Sequence, residues 1–242
     1  MLIIRSLLFN ITFALLTAIF SILVCLSRPF GYKASWFWAK GWTHSVLTSL
    51  RILCGIHIHI EGQEHLPKEP CVVMAKHQSA LETIAMPMLI PPYVWILKRE
   101  LFYIPLFGWA LWILDAIAIR RGNPREAIKQ VNTQGIQFLQ QGKWVVIFPE
   151  GTRSEVGTAG DYKPGGISLA QKASVGILPM AHNAGAYWSK HAFIKKPGTV
   201  TIRFLPFISA QDVQDSKRGE LMTQLQQEIE QHSLELAQHS KR

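Results

Sequence analysis

Residues 70–88, PCVVMAKHQSALETIAMPM, contain the pattern that decides the fold. The first six of them form an apolar run of the length of a fully buried strand. The run from 80 to 88 has helical character and ends before Pro91 and Pro92, which do not continue a helix. A buried strand that leads directly into a helix is typical of a parallel sheet covered by helices.

The same alternation continues on both sides of this stretch. We predict further strands at 56–60, 93–97, 116–119, 144–148, 176–180 and 199–204, and helices at 101–114, 123–140, 167–173 and 216–238. Asn123 and Pro124 favour a helix start, because asparagine caps free N–H groups and proline suits the first turn. The predicted fold class is α/β, with a mostly parallel central sheet flanked by helices.

The first 54 residues differ from the rest in hydropathy. Residues 6–27 carry no charge, and as a helix they would extend about 33 Å, which matches a hydrocarbon core of about 30 Å. A cleaved signal peptide is disfavoured because no small-x-small motif follows. Residues 35–54 are apolar but include Lys40, His44 and Arg51, which suits the membrane interface. We predict a membrane-associated helical hairpin in 1–54 and an α/β domain in 55–242, with spanning and one-leaflet insertion both open.

Charge is also unevenly distributed. The net charge is +9, yet the first acidic residue is Glu61. The preceding segment contains five basic residues and three of the eight tryptophans, which favours an anionic membrane surface over nucleic acid. More basic residues follow the apolar run than precede it, which predicts that the bulk of the chain lies in the cytoplasm.

The first candidate site directly follows the strand at 70–75. His77 and Glu82 lie at its carboxyl end, where functional residues of parallel sheets collect. A carboxylate that accepts one imidazole N–H leaves the other nitrogen free as a base. Residues five apart in one helix face about 140° apart, so the pairing requires His77 in the turn before the helix. Taken alone, this spacing is a weak signal.

The second candidate site is FPEGTRS, residues 148–154, which follows the strand at 144–148. Gly151 allows the backbone to approach a ligand closely. Arg153 offers a forked donor suited to a phosphate, and Glu150 would order Arg153 or the loop. The two sites together favour a function more strongly than either does alone.

Other kinds of site lack their motifs. The sequence has no G-x-S-x-G, G-x-G-x-x-G or P-loop pattern, and no serine or cysteine lies in a recognisable activated setting. It has no C-x-x-C or H-E-x-x-H, so no metal is predicted. His57 and His59 share one strand face without a convincing third ligand, and we interpret them as solvent-facing.

The blocks HQSALE at 77–82 and FPEGTRS at 148–154 together resemble the glycerolipid acyltransferase family, which includes 1-acyl-sn-glycerol-3-phosphate acyltransferases. The segment 97–108, with KREL and IPLFG, and ILPM at 177–180 also agree, so the resemblance covers roughly 55–210. It implies an acyltransferase domain at 55–242 and membrane association. The expected location is a bacterial inner membrane, with the catalytic part on the cytoplasmic side.

The resemblance also implies a mechanism. His77 would deprotonate the sn-2 hydroxyl of 1-acyl-sn-glycerol-3-phosphate (lysophosphatidic acid), and Glu82 would orient His77. The oxygen would attack the thioester of acyl-CoA or acyl-carrier protein without an acyl-enzyme, giving phosphatidic acid. No cofactor is expected beyond that co-substrate. The residues implied in phosphate binding are Arg153, Lys98, Glu150, Gly151, Thr152 and Arg121.

Three positions depart from the family pattern and leave alternatives open. Glu82 stands where the family usually has aspartate, Arg120 stands where an acid is frequent, and Lys76 precedes His77 in place of asparagine. The glutamate at position 82 leaves the acceptor class open, with another lysophospholipid or lyso-aminolipid as the alternative. An acyl-thioester hydrolase and a non-catalytic lipid-binding protein are the alternatives from other classes.

Overall fold

The computed structural model describes residues 1–120 and 122–239, which form a seven-stranded sheet with helices on both faces. The strands are β1 (Ile56–Glu61), β2 (Val72–Ala75), β3 (Tyr93–Lys98), β4 (Ile117–Ile119), β5 (Trp144–Ile147), β6 (Ile177–His182) and β7 (Gly198–Phe204). The α-helices are α1 (Leu2–Ser27), α2 (Tyr32–Ser49), α3 (Leu81–Leu89), α4 (Phe107–Ile113), α5 (Pro124–Gln140), α6 (Gly165–Ala173), α7 (Ala184–Tyr187), α8 (Ala210–Asp215) and α9 (Arg218–His239). The predicted α/β class is confirmed.

The strand order is β1-β7-β6-β2-β5-β3-β4. Every pairing is parallel except β6 with β7, so β7 and its parallel partner β1 run opposite to the other five strands. The carboxyl ends of β6, β2, β5, β3 and β4 therefore lie along one edge of the sheet. Both predicted candidate sites follow strands of this group, and β2 and β5 are neighbours.

The sheet separates two apolar layers. Val73 and Ala75 of β2 pack on the side of α1, α2 and α3, whereas Val72 and Met74 pack on the side of α5, α6 and α9. All four side chains are completely buried. A strand buried on both faces explains why the sequence is a continuous apolar run rather than an alternating one.

The N-terminal helices form the predicted hairpin, and its inner face belongs to the main core. The turn between α1 and α2 contains Gly31 at φ +87°, which glycine adopts without steric cost. Phe9 of α1 and Val46 of α2 are completely buried in the cluster that contains Val73. The outer face of α1 exposes a row of large apolar side chains, namely Leu7, Leu8, Ile11, Leu15, Ile19, Ile22 and Leu26. The helix is long and apolar enough to cross a membrane, judged by length and composition alone.

The structure differs from the predicted elements mainly between residues 99 and 114. A 3₁₀ helix covers Arg99–Tyr103, and α4 begins only at Phe107. Pro105 has no N–H to donate, and Leu106 adopts φ +64°, so one continuous helix is excluded. The short helices α7 and α8 were not predicted. Beyond residue 55, the other predicted strands and helices agree with the observed ones within two residues at each end. Nearer the N-terminus, α1 begins four residues before the predicted segment 6–27, and α2 covers Tyr32–Ser49 where the predicted segment is 35–54.

Candidate active site

His77 lies in the turn that follows β2, at the edge where five strands end. Its carbonyl oxygen accepts hydrogen bonds from the N–H of Ser154 (2.8 Å) and the hydroxyl of Ser154 (3.2 Å). Its ring stacks on Phe148, with 4.1 Å between ring centroids and 20° between the planes. These contacts join the two sequence blocks into one site.

Glu82 occupies the first turn of α3 and reaches back to His77. Its Oε1 accepts a hydrogen bond from Nδ1 of His77 at 2.9 Å. The same oxygen accepts the main-chain N–H groups of Gln78 and Ser79, each at 2.9 Å. These N–H groups belong to the turn before α3, and hydrogen bonds of this kind favour the ionised carboxylate. The structure thus brings His77 and Glu82 together in the arrangement that the spacing requires.

The surroundings keep Glu82 ionised. Burial alone would raise its pKa, because the side chain is completely inaccessible to solvent. The attraction of His182 and the hydrogen bonds from His77 and Ser79 outweigh this and hold the pKa of Glu82 below its usual value. An ionised Glu82 accepts the Nδ1 proton of His77. Nε2 of His77 makes no hydrogen bond within the part of the chain that the structure describes, and the side chain is 16% exposed.

A second histidine, His182, lies at the end of β6 and was not predicted from the sequence. Its Nε2 donates to the carbonyl of Lys76 at 2.8 Å, and its Nδ1 accepts the N–H of Ala184 at 3.2 Å. Nε2 also lies 3.9 Å from Oε1 of Glu82. Burial lowers the pKa of His182 below its usual value, against the attraction of Glu82. The signal for this residue was its place two positions after the apolar run at 176–180.

We expect His182 to make the stability of the protein depend on pH. Its pKa in the folded state lies below the unfolded value of 6.5, so the unfolded chain binds the extra proton first. The contribution of His182 to the free energy of unfolding is therefore complete above pH 6.5 and is lost as the pH falls below 6.5. Between pH 7.5 and pH 5, the free energy of unfolding should decrease more for wild type than for His182→Gln. His57→Gln, which changes an exposed histidine, is the control. If the free energies of unfolding of His182→Gln and wild type changed in parallel with pH, His182 would not be the group responsible.

Glu150 and Lys76 form a buried ion pair behind His77. Nζ of Lys76 lies 3.1 Å from Oε2 of Glu150, and each side chain is 1% exposed. The other oxygen of Glu150 accepts the main-chain N–H of His77 at 2.8 Å. Glu150 was predicted in the phosphate-binding loop, but its carboxylate is directed to Lys76 and the His77 main chain. Any contribution of Glu150 to phosphate binding would therefore act through the loop.

Residues 151–153 of the FPEGTRS block are partly or fully exposed to solvent. Gly151 adopts φ +68°, a conformation in which an L side chain is strained, and its N–H donates to the carbonyl of Phe148 at 3.0 Å. Thr152 is exposed, and Arg153 is partly exposed. Within residues 1–120 and 122–239, the guanidinium of Arg153 has no carboxylate partner.

Two further cationic residues lie at the ends of β3 and β4, the two strands beyond β5 in the sheet. Lys98 is the last residue of β3, and Arg120 follows β4, and both are exposed. Because β3 lies two strands from β2, Lys98 lies about 10 Å across the sheet from β2, the strand that His77 follows. Arg121, predicted as a phosphate ligand, lies outside the described residues. The edge therefore places a histidine–carboxylate pair beside a row of basic side chains.

Comparison with known proteins supports the chemistry that this site suggests. A family model described as Acyltransferase matches residues 57–183. The chain is 43% identical over 175 residues to the 1-acyl-sn-glycerol-3-phosphate acyltransferase of Pseudomonas aeruginosa, covering 72% of this chain and 68% of that protein. It is 34% identical over 170 residues to 1-acyl-sn-glycerol-3-phosphate acyltransferase alpha of Mus musculus, covering 69% and 60%.

A solved structure shares the fold over nearly the whole chain. The 1-acyl-sn-glycerophosphate acyltransferase PlsC of Thermotoga maritima superimposes with a TM-score of 0.76 at 22% identity, covering 98% of this chain and 99% of that one. The N-terminal helices and the sheet are thus parts of one known architecture. The chain belongs to the acyltransferase family and is an O-acyltransferase similar to the 1-acyl-sn-glycerol-3-phosphate acyltransferases.

Proposed function

We propose that this protein transfers an acyl chain from an acyl thioester to the sn-2 hydroxyl of 1-acyl-sn-glycerol-3-phosphate, forming phosphatidic acid. The observation that carries the proposal is the hydrogen bond of 2.9 Å from Nδ1 of His77 to the buried Glu82, which leaves Nε2 free. The names of the relatives supply the substrate, because each is called a 1-acyl-sn-glycerol-3-phosphate acyltransferase.

In the proposed reaction, His77 acts as the general base. Nε2 takes the proton of the acceptor hydroxyl as the oxygen attacks the thioester carbonyl and forms a tetrahedral intermediate. The C–S bond then breaks, and the imidazolium returns the proton to the thiolate. Glu82 stabilises the imidazolium between these steps. General base catalysis of this kind contributes about 10²- to 10⁴-fold to the rate.

The acceptor phosphate would bind to the row of basic side chains beside His77. Arg153 is the central candidate, because it is partly exposed and unpaired among the described residues, and its guanidinium suits a phosphate. Lys98 and Arg120 extend the positive charge toward β4. The donor would be acyl-CoA or acyl-carrier protein. The thioester is already an activated acyl group, so the proposed reaction requires no cofactor.

The membrane would supply the acceptor. The exposed row on α1 continues onto Trp109 and Trp112 of α4, each 57% exposed, and tryptophan is favoured at a membrane interface. The start of α1 is tied to the globular part, since the hydroxyl of Ser6 accepts the N–H of Lys195 and Nζ of Lys195 donates to Asn10. Val24 near its other end is buried in the main core. These contacts favour α1 lying along one leaflet. The excess of basic residues after the apolar run favours the cytoplasmic side of a bacterial inner membrane for the α/β part.

The test measures acyl transfer to lysophosphatidic acid in liposomes, with labelled acyl-CoA and acyl-carrier protein as separate donors. Formation of phosphatidic acid is the expected result. Transfer to another lysolipid, but none to lysophosphatidic acid, would retain the chemistry and change the acceptor. Release of fatty acid without transfer to any acceptor would favour a thioester hydrolase and contradict the proposal.

We expect Arg153→Ala to raise the KM for lysophosphatidic acid with a smaller effect on kcat. Charge-assisted hydrogen bonds contribute about 1.5–3 kcal/mol, which corresponds to an increase in KM of about 10- to 100-fold. Steady-state kinetics with monoacylglycerol, which lacks the phosphate, should show little change between the two proteins. Arg218→Ala, an exposed arginine on α9, is the matched control. An unchanged KM for lysophosphatidic acid in Arg153→Ala would remove this residue from the phosphate site.

A further inference from the structure

Lys76 is a completely buried lysine directly before the proposed base. Its ammonium donates to three oxygens from three parts of the chain, namely Oε2 of Glu150 at 3.1 Å, the carbonyl of Thr158 at 3.1 Å and Oε1 of Glu230 at 2.6 Å. The three ammonium donors are thus all used. A buried charge is stable only when it is paired and hydrogen-bonded in this way.

The contacts form a continuous connection from the C-terminal helix to His77. Glu230 on α9 contacts the ammonium of Lys76, and Lys76 contacts one oxygen of Glu150. The other oxygen of Glu150 accepts the N–H of His77. Tyr162 donates its hydroxyl to the same oxygen of Glu230 at 3.2 Å. Burial raises the pKa of Tyr162, so this hydroxyl keeps its proton.

We propose that Lys76 is a positioning residue for acyl transfer, which together with Glu230 holds Glu150 against the main chain of His77. The inference rests on the proposed role of His77 as the base. Lys76 and Glu150 are not placed to touch the substrate, because each side chain is 1% exposed. Oε1 of Glu230 is already bound by Lys76 and Tyr162. They act by fixing the backbone from which the imidazole projects.

The physical reason lies in the charge balance. Without the ammonium, Glu150 becomes a buried carboxylate with no cation among the described residues, close to a second carboxylate. Such a group takes up a proton or turns away, because burial and like charge both disfavour its ionised form. The N–H of His77 then loses its charged acceptor. A displacement of about 1 Å at a catalytic group lowers rates by about 100-fold.

The kinetic test uses the full chain in liposomes with lysophosphatidic acid and acyl-CoA. Lys76→Met keeps most of the side-chain volume and removes the charge, and its kcat per folded molecule should fall about 100-fold with little change in either KM. Glu230→Gln should lower kcat about 10-fold, because the amide oxygen still accepts from Lys76 but carries no charge. Glu220→Gln, an exposed carboxylate on the same helix, is the matched control.

The double variant tests whether the two residues act through one connection. Lys76→Met with Glu230→Gln should be no slower than Lys76→Met alone, since residues in one network are not additive. If kcat of the double variant fell by the product of the two single-variant factors, the coupling would be overturned. If Lys76→Met does not fold, Glu230→Gln decides the question. A kcat within about twofold of wild type in each folded variant would overturn the proposal.

A readout independent of activity separates this inference from the proposed function. The ring signals of His77 in ¹⁵N-histidine-labelled protein are assigned by their absence in His77→Ala. The chemical shifts of these signals should change in Lys76→Met and Glu230→Gln and stay the same in Glu220→Gln. Moved signals support the positioning role even if lysophosphatidic acid proves not to be the acceptor. Unmoved signals overturn it, whatever the activity.

Discussion

His77→Ala should form phosphatidic acid about 10³-fold more slowly than wild type, with the loss in kcat rather than in KM. The imidazole is the group that removes the hydroxyl proton in the proposed reaction, and general base catalysis contributes about 10²- to 10⁴-fold. The acceptor phosphate and the acyl chain would still bind, because the row of basic side chains and the exposed apolar row on α1 do not depend on this ring. Single-turnover measurements with saturating acceptor separate the chemical step from binding.

The controls for this variant come from the same chain. His77→Gln retains side-chain volume beside Phe148 and should be almost as slow as His77→Ala, because an amide does not act as a base at neutral pH. His57→Ala removes an exposed histidine on β1 and should behave as wild type. Since Ser154 bonds to the main chain of His77, the turn retains this support in each variant. A His77→Ala protein that keeps a tenth of wild-type kcat would exclude His77 as the base.

Glu82→Gln should lower kcat about 100-fold while the site keeps its shape. All three hydrogen bonds to the carboxylate end on Oε1, and Oε2 has no hydrogen-bond partner among the described residues. A glutamine oxygen in the position of Oε1 therefore accepts the same three bonds, while the charge is lost and an NH2 group takes the position of Oε2. A hydrogen bond to a charged group contributes about 1.5–3 kcal/mol, and the upper part of this range corresponds to about 100-fold.

Glu82→Asp is the companion variant, because it retains the charge and shortens the side chain by one methylene. We expect it to be faster than Glu82→Gln and slower than wild type, since the shorter carboxylate must move to reach His77. Circular dichroism and thermal unfolding verify that each variant is folded before rates are compared. A folded Glu82→Gln enzyme with wild-type kcat would show that the carboxylate charge is not required.

The sequence was sufficient for the elements that show a clear local pattern. Short apolar or alternating segments predicted the seven strands, and the spacing of His77 and Glu82 required a histidine in the turn before α3, where the structure places it. The sequence placed both blocks, 77–82 and 148–154, after buried strands, but the structure was needed to show that these strands are neighbours. Within residues 97–108, Pro105 and the positive φ of Leu106 interrupt the helix that the apolar character suggested.

The residues that surround the site could be identified only from the tertiary structure. His182 is beside Glu82 only because β6 neighbours β2, and strand order cannot be derived from apolar runs. The sequence predicted the helix at 216–238, but it did not show which of its polar side chains would reach the active site. Glu230 meets Lys76 across 154 positions of sequence, and that contact depends on how α9 docks against the sheet.

The burial of α1 has a consequence for how the protein is made. Phe9 packs edge-to-face on Trp188, with 5.5 Å between ring centroids, and Ser6 accepts the N–H of Lys195. The ribosome therefore synthesises α1 long before the residues that cover its inner face. Until those residues emerge, the apolar helix has only a lipid surface or a chaperone to shield it. Early contact with the membrane would then keep the growing chain from aggregating, in addition to delivering the acceptor to the finished enzyme.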